Sequence, residues 1–308
     1  MGFEALYWLP WLAKLRAELD IDPARLIPIT RGGAACWYGV PKALELYEMR
    51  TPQDVRIENH IRQAQTGFVK QYRVSHFDRQ IYADAAETLG LRHYDVLHPS
   101  WMYKTLDPFW TAQRGLSWLF DRIIWTPLPV PPLPEGLVLP DGFLVMRFYF
   151  RNTFPKTPKT VEFAEAVVKQ VSQGQPVILL NTGLHADDHT DFLPRTRPDH
   201  VRLLSDLYPG LTVQNNLAIQ SAVIARAEGF VGTYGGLAQL GLRYGKPSVT
   251  FFTEWGGTAL AHRQLSEAMA LQMGKPFQAI RLAEIPALQA IVPQVRIVDP
   301  TKPEPVVA

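Results

Sequence analysis

From Phe143 onward, short apolar runs alternate with segments of helical spacing, and this alternation constrains the fold more than any other feature of the chain. Phe143–Arg151, "FLVMRFYFR", is rich in aromatic and β-favouring residues and reads as a strand. Thr160–Gln173 carries apolar residues at helical spacing and is stopped by Gly174. Pro176–Asn181 reads as a buried strand, Val201–Ser205 as a short one, and Asn216–Ala227 as a helix capped by Asn215 or Asn216. The pattern continues with a strand end at Phe230–Gly232, a helix at Leu237–Tyr244 and a strand at Ser248–Phe252. A helix from about Thr258 to Met273, a strand at Phe277–Leu282 and a helix at Ala283–Ile291 complete it. Such alternation predicts a parallel sheet covered on both faces.

The amino-terminal half is more helical. Phe3–Leu19 and Phe77–Leu89 read as helices, Arg25–Thr30 as a strand closed by Gly32 and Gly33, and Asp95–Leu97 as a possible short strand. Between the halves, Pro127–Pro134, "PLPVPPLP", lacks backbone donors and favours extended chain, as a linker does. The expected organisation is an α/β domain over residues 1–126, a proline-rich linker over 127–136 and a second α/β domain over 137–308.

The stretch Gly229–Leu240, "GFVGTYGGLAQL", joins a strand end to a helix start through several glycines. In an open α/β sheet, ligands sit beyond the carboxyl ends of the strands, where helix N-termini offer unpaired N–H groups to anions. Gly235 and Gly236 leave room there for a diphosphate; the alternative is a tight turn that binds nothing. The spacing is not the dinucleotide fingerprint, and the Lys-Ser/Thr ending of a P-loop is missing. Asn181 and Thr182 end the next strand in the same zone. Arg151 and Asn152 end the first, where a guanidinium can pair with a phosphate. Arg147 shares the strand face of Arg151 and reads as a salt bridge or a second phosphate contact. Glu254 ends a later strand and suits a ribose or sugar hydroxyl. Arg31, Gly32 and Gly33 read as an acceptor-side contact or as a plain turn.

The segment "AIQSAVIARAEGFVGTYGGLAQLGLRYGKPSVTFF" resembles the carboxyl-domain signature of GT-B glycosyltransferases, in particular the bacterial lipopolysaccharide heptosyltransferases. Gly232, Gly236, Leu240, Gly245 and Pro247 fall on matching positions. Thr233, Tyr234, Gly235 and Gln239 replace the family's Asn, Asp, Ser/Thr and His. The amino end, with Glu4, Pro10, Leu12 and Leu15-Arg16, is similar to the family's first helix, and the strand that precedes this helix in the family is missing. The resemblance implies two Rossmann-like domains facing a cleft, with the donor held by the carboxyl-terminal one. It implies transfer of a sugar from a nucleotide-diphosphate sugar to a hydroxyl acceptor in surface-polysaccharide or glycoconjugate synthesis. The donor residues would be Arg151, Asn152, Asn181, Thr182, Gly232, Thr233, Tyr234, Gly235, Gly236, Gln239 and Glu254, with Glu4 as general base. No cofactor and no metal would be needed beyond the donor substrate. A sugar-nucleotide epimerase of similar fold, or a binding protein that has lost catalysis, are the alternatives.

Composition limits the remaining classes. A net charge of +2 with scattered Lys and Arg gives no nucleic-acid footprint. Cys36 is the one cysteine, so no internal disulfide and no thiolate metal cage can form, as expected of a cytoplasmic protein. "HADDHTD", His185–Asp191, clusters His and Asp without the spacing of a helical zinc motif. The apolar start breaks at Pro10 and is too short to span a membrane, which leaves peripheral membrane contact open. No G-x-S-x-G elbow points to a serine hydrolase.

Overall fold

The computed structural model describes residues 2–67, 71–184, 189–254 and 259–286. The chain divides into two compact units, one holding the residues up to Pro131 together with Thr212–Ile219, the other holding Pro132–Gly183, 189–211 and the chain from Gln220 on.

The first unit is mostly helical. A π-helical turn, Glu4–Trp8, runs into α1 (Leu9–Glu18), with Pro10 in the first turn of α1, where a missing N–H costs least. The only strands among its described residues are β1 (Ile29–Thr30) and β2 (Leu44–Glu45), a parallel pair of two residues each. This corrects the expectation of a Rossmann-like amino-terminal domain. Pro23 starts a 3-10 turn and Pro28 withholds an N–H, so the predicted strand Arg25–Thr30 shrinks to its last two residues. Asp95–Leu97 forms no strand, and residues 91–96 stand exposed with no ladder to join. After α2 (Leu46–Met49), α3 (Pro52–Thr66) and α4 (His76–Leu89) each start on a capping box, Thr51 with Asp54 and Ser75 with Asp78. Both end on a left-handed glycine, Gly67 and Gly90. α5 (Ser100–Trp110) and α6 (Leu116–Phe120) follow, with Leu106 and Leu119 fully buried.

The second unit carries the predicted parallel sheet. Its strands are β3 (Leu144–Arg147), β5 (Val177–Leu179), β7 (Val201–Leu203), β8 (Gly229–Thr233), β9 (Ser248–Phe252) and β10 (Phe277–Arg281), in the order β10-β9-β8-β3-β5-β7 with every pairing parallel. Counted along the chain this is the order 3-2-1-4-5-6 of doubly wound nucleotide-binding sheets, and the order reverses between β3 and β8. The described connections include α7 (Pro158–Val171), α8 (Leu204–Leu207), α9 (Asn216–Ile224), α10 (Gly236–Arg243) and α11 (Ala259–Gln272). Val177, Ile178 and Leu179 are fully buried because β5 lies between β3 and β7 and is covered on both faces. Phe148, Phe154, Phe163, Phe192 and Phe251 pack into one aromatic cluster against it.

The predicted strand Phe143–Arg151 is broken. The Phe148 carbonyl accepts from Phe192 N–H at 3.1 Å, and the next two residues form β4 (Tyr149–Phe150), which pairs antiparallel with β6 (Thr190–Asp191). The chain therefore leaves the main sheet at Arg147, and Tyr149 is carried past its carboxyl edge. The predicted helix Ala283–Ile291 starts as a 3-10 turn, Leu282–Glu284; residues 287–291, like Thr258, lie outside the described residues. No helix among the described residues is long and apolar enough to cross a membrane.

Candidate functional site

The reversal between β3 and β8 is where a doubly wound sheet opens a crevice beyond its strand ends. Arg147 and Gly232 are register partners there. Thr233, the last residue of β8, closes the crevice floor onto β4: its Oγ1 accepts from Tyr149 N–H at 3.1 Å and donates to the Tyr149 carbonyl at 3.3 Å. Gly235 then precedes α10, and the Tyr149 hydroxyl lies over it, 3.5 Å from the Tyr234 carbonyl oxygen.

The glycines do different work from that expected. A Cβ on Gly232 would lie 2.1 Å from the Arg147 carbonyl oxygen, so this glycine lets β8 approach the end of β3. A Cβ on Gly235 would lie 1.9 Å from the Tyr149 hydroxyl oxygen, so the space it opens is filled by a tyrosine of the same unit. Gly235 has extended backbone, and neither it nor Gly236 has the left-handed backbone for which glycine is favoured. Gly235 and Gly236 remain partly exposed at the start of α10.

Arg147 is fixed rather than offered to a ligand. Its Nη1 donates to the Leu180 carbonyl at 2.7 Å and to Gln220 Oε1 at 3.1 Å, and its Nη2 to Asp191 Oδ1 at 2.5 Å. Arg151 is the exposed cation of this edge. It lies on the turn closed by reciprocal backbone hydrogen bonds with Phe154, and its Nη1 is 3.1 Å from His189 Nε2. The His189 ring in turn stands 4.4 Å from that of Tyr149. Asn152, exposed, lies on the same turn. Thr253 N–H and Oγ1 both donate to the Thr153 carbonyl, which brings the end of β9, and the exposed Glu254 after it, beside this turn.

Asn181 follows β5, is 3% exposed and donates through Nδ2 to the Phe192 carbonyl, while its Oδ1 is buried with no hydrogen-bond partner among the described residues. Thr182 follows it, half-buried. Tyr234 and Gln239 do not line the edge, which corrects their expected role. They are 5% and 3% exposed; Tyr234 packs on Phe252 and Phe277, and desolvation drives its hydroxyl pKa up against the opposing hydrogen bond from Gln239. Tyr234 turns into the core between β8 and α10, and Gln239 lies on the buried side of α10.

In the amino-terminal unit, Glu4 Oε1 accepts from the Tyr38 hydroxyl at 2.7 Å; desolvation, then the Glu4 charge, hold that hydroxyl far above its usual range. Arg31 is half-buried beside Gly32 and Gly33. These two glycines form an anion-binding nest that is already filled. Gly32 N–H donates to Glu45 Oε1 and Gly33 N–H to Oε2, both at 2.9 Å, and the Gly32 carbonyl accepts from Leu217 and Ala218 N–H. Both have left-handed backbone, and a Cβ on Gly33 would meet that of Ala218 at 2.8 Å. Their expected acceptor-side role gives way to a structural one. Desolvation raises the Glu45 pKa although the nest N–H groups pull it down.

Tyr149, His189, Asp191 and Glu45 were not among the residues expected from sequence. Only His189 and Asp191 carried a signal, inside "HADDHTD", whose residues 185–188 lie outside the described residues. Among the described residues no group of three or more His, Cys, Asp or Glu side chains is placed to share a metal ion. A concavity of about 520 Å³ lined by Leu137, Val138, Phe143, Arg226 and Glu228 lies at the amino ends of β3 and β8, the edge opposite this site.

No protein-family model and no curated protein matches the chain. Among solved structures, the glycotransferase of kitacinnamycin is similar at 16% identity and a TM-score of 0.30, the match covering 68% of this chain and 55% of that one. The glycosyltransferase SnogD from Streptomyces nogalater is similar at 14% identity and a TM-score of 0.30, covering 84% of this chain and 68% of that one. The chain thus spans about half the length of the first of these structures.

Proposed function

We propose that the chain is a glycosyltransferase that moves a sugar from a nucleotide-diphosphate donor to a hydroxyl of a glycan or other acceptor. The observation that supports this is the reversal of strand order between β3 and β8, with Arg151, the start of α10 and Glu254 at the carboxyl edge beside it. Arg151 and the first N–H groups of α10 receive the diphosphate, and Glu254 a ribose or sugar hydroxyl. A carboxylate takes the acceptor proton, and Glu4 is the candidate that the sequence resemblance gives for it. The acceptor oxygen then bonds to the anomeric carbon as the bond from that carbon to the diphosphate oxygen breaks. The leaving negative charge is stabilised where Arg151 and the helix dipole stand.

The test is calorimetric titration of the chain with UDP-, GDP- and ADP-sugars. One of them binds, and Gly236→Val, which puts a branched side chain at the phosphate position, loses that binding while staying folded. Equal binding by the parent and by Gly236→Val overturns the reading. Product analysis with and without an acceptor separates transfer from epimerisation, which needs no acceptor.

A further inference from the structure

We infer that residues 91–97 are an association strand, which pairs antiparallel with the same residues of a second copy of the chain about a two-fold axis at Tyr94. The inference concerns the amino-terminal unit alone and is independent of the proposed transfer reaction.

Between α4 and α5 the chain is anchored at both ends and bare in the middle. Leu91 N–H donates to the Ala86 carbonyl at 2.8 Å near the end of α4. His98, 1% exposed, lies with Nε2 3.4 Å from Asp78 Oδ2 near the start of the same helix. Every residue from Leu91 to Val96 is exposed, and the large apolar ones stand at 39% for Leu91, 50% for Tyr94 and 39% for Val96. Among the described residues, the backbone of residues 92–97 makes no backbone hydrogen bond, and the side chains of Arg92, His93, Tyr94 and Asp95 make no hydrogen bond or ion pair. An exposed run of unpaired N–H and C=O groups is a template for a further strand. The chain bends at Arg92 and His93, and pairing straightens it there.

The occupant follows from the side chains. In an antiparallel pair about a two-fold axis, each residue faces the one equally far beyond the axis. With the axis at Tyr94, Tyr94 faces its own copy, His93 faces Asp95, Arg92 faces Val96 and Leu91 faces Leu97. His93 then donates a ring N–H to the Asp95 carboxylate of the second copy, twice by symmetry. The Tyr94 rings meet, the leucines cover each other, and each Arg92 lies diagonal to the opposing Tyr94, within reach of its ring. The same rule disfavours the neighbouring registers. An axis at Asp95 sets two carboxylates face to face, and an axis at His93 sets Leu91 against Asp95. A strand of this length buries less than a standard interface, so the dimer is weak and forms as concentration rises.

The experiment is sedimentation equilibrium of the full chain over a wide range of concentration, with His93→Asp and Asp95→His as variants. Both positions are exposed, so both variants keep the fold, which circular dichroism checks. The parent is expected to show a monomer–dimer equilibrium. His93→Asp sets carboxylate against carboxylate at both pairs, and Asp95→His removes both acceptors; each raises the dissociation constant about tenfold. An equimolar mixture of the two variants regains the association of the parent, because a mixed dimer again has a His facing an Asp at both pairs. Mixing does not repair a loss of fold, so the recovery reports the pairing of position 93 with position 95. A parent that stays monomeric at every concentration overturns the inference and leaves the segment to a strand of another protein. A parent dimer that neither variant weakens overturns it by assigning the dimer to another surface. Weakened variants that mixing does not rescue overturn the register and the ladder with it.

Discussion

A Cβ placed on Gly232 would stand 2.1 Å from the carbonyl oxygen of its register partner Arg147, closer than any real contact. The glycine is therefore required by the sheet at the place where its strand order reverses. Gly232→Ala forces β8 away from β3 and is expected to cost about 1–3 kcal/mol, as overpacking of a core does. Gly174→Ala, with nothing within 4 Å of the added carbon, stays within about 0.5 kcal/mol of the parent. Urea unfolding of the two variants side by side measures the difference, and equal stability would show that the strand ends yield freely.

The Arg147–Asp191 pair, with side chains 12% and 20% exposed, ties the end of β3 to β6 and so holds the turn that presents Arg151. Asp191→Ala leaves the guanidinium with its two neutral acceptors and is expected to cost about 1.5–3 kcal/mol. A double-mutant cycle with Arg147→Met gives a coupling energy of at least about 0.5 kcal/mol if the pair acts as a unit. No coupling would assign the Arg147 contribution to Leu180 and Gln220 alone.

What the sequence disclosed follows from how local each constraint is. β5 was legible because a strand buried on both faces needs an unbroken apolar run, which Val177–Leu179 supplies, and β9 because Val249, Thr250, Phe251 and Phe252 are β-favouring residues in a row. The break at Phe148 was not, since every residue around it favours a strand and the break is set by pairing with Thr190 and Asp191, some forty residues on. The glycines of the β8–α10 junction stood out, but the atoms that demand them belong to Arg147 and Tyr149, which no spacing rule connects to them. Position in the chain puts Tyr234 and Gln239 at the edge, whereas packing on Phe252 and Phe277 turns Tyr234 inward and the phase of α10 does so for Gln239. Gly32 and Gly33 read in the sequence as an acceptor-side contact or a plain turn, because their carboxylate partner, Glu45, lies twelve residues away from Gly33.

Asp78 gives the amino-terminal unit a pH signature. Burial alone would raise its pKa, but the hydrogen bond from His98, the Ser75 N–H and the charge of Arg62 outweigh burial and hold it well below the usual carboxylate range. A carboxylate depressed in the folded state contributes stability that is complete above its unfolded pKa. That contribution is lost as pH falls through the folded one, so the loss starts below about pH 4. Urea midpoints are expected to drop below that pH in the parent. Asp78→Asn lowers the midpoint at neutral pH and shows a shallower acid limb. An acid limb of unchanged slope in the variant would assign the loss to other carboxylates.

The Tyr149 hydroxyl and Gly235 make a prediction that separates side-chain crowding from backbone strain. The backbone at Gly235 is extended, with φ 168°, which alanine adopts without penalty. The obstacle to Gly235→Ala is thus one atom, the hydroxyl oxygen 1.9 Å from the new carbon; the next, Cζ, is at 3.1 Å. The single substitution is expected to cost about 1–3 kcal/mol. Tyr149→Phe alone removes a long hydrogen bond of 3.5 Å and costs little. Combined, the two should cost less than Gly235→Ala by itself, because removing the hydroxyl relieves the worst contact and leaves one that a small ring shift accommodates. The cycle then has a coupling energy opposite in sign to that of a lost favourable contact. If the double variant is instead as unstable as the sum of the singles, the ring and not its hydroxyl fills the space above Gly235. The same four proteins, titrated with the nucleotide sugar that the parent binds, report on α10. Gly235→Ala displaces Tyr149 from the first turn and weakens binding, and Tyr149→Phe in that background restores it in step with stability.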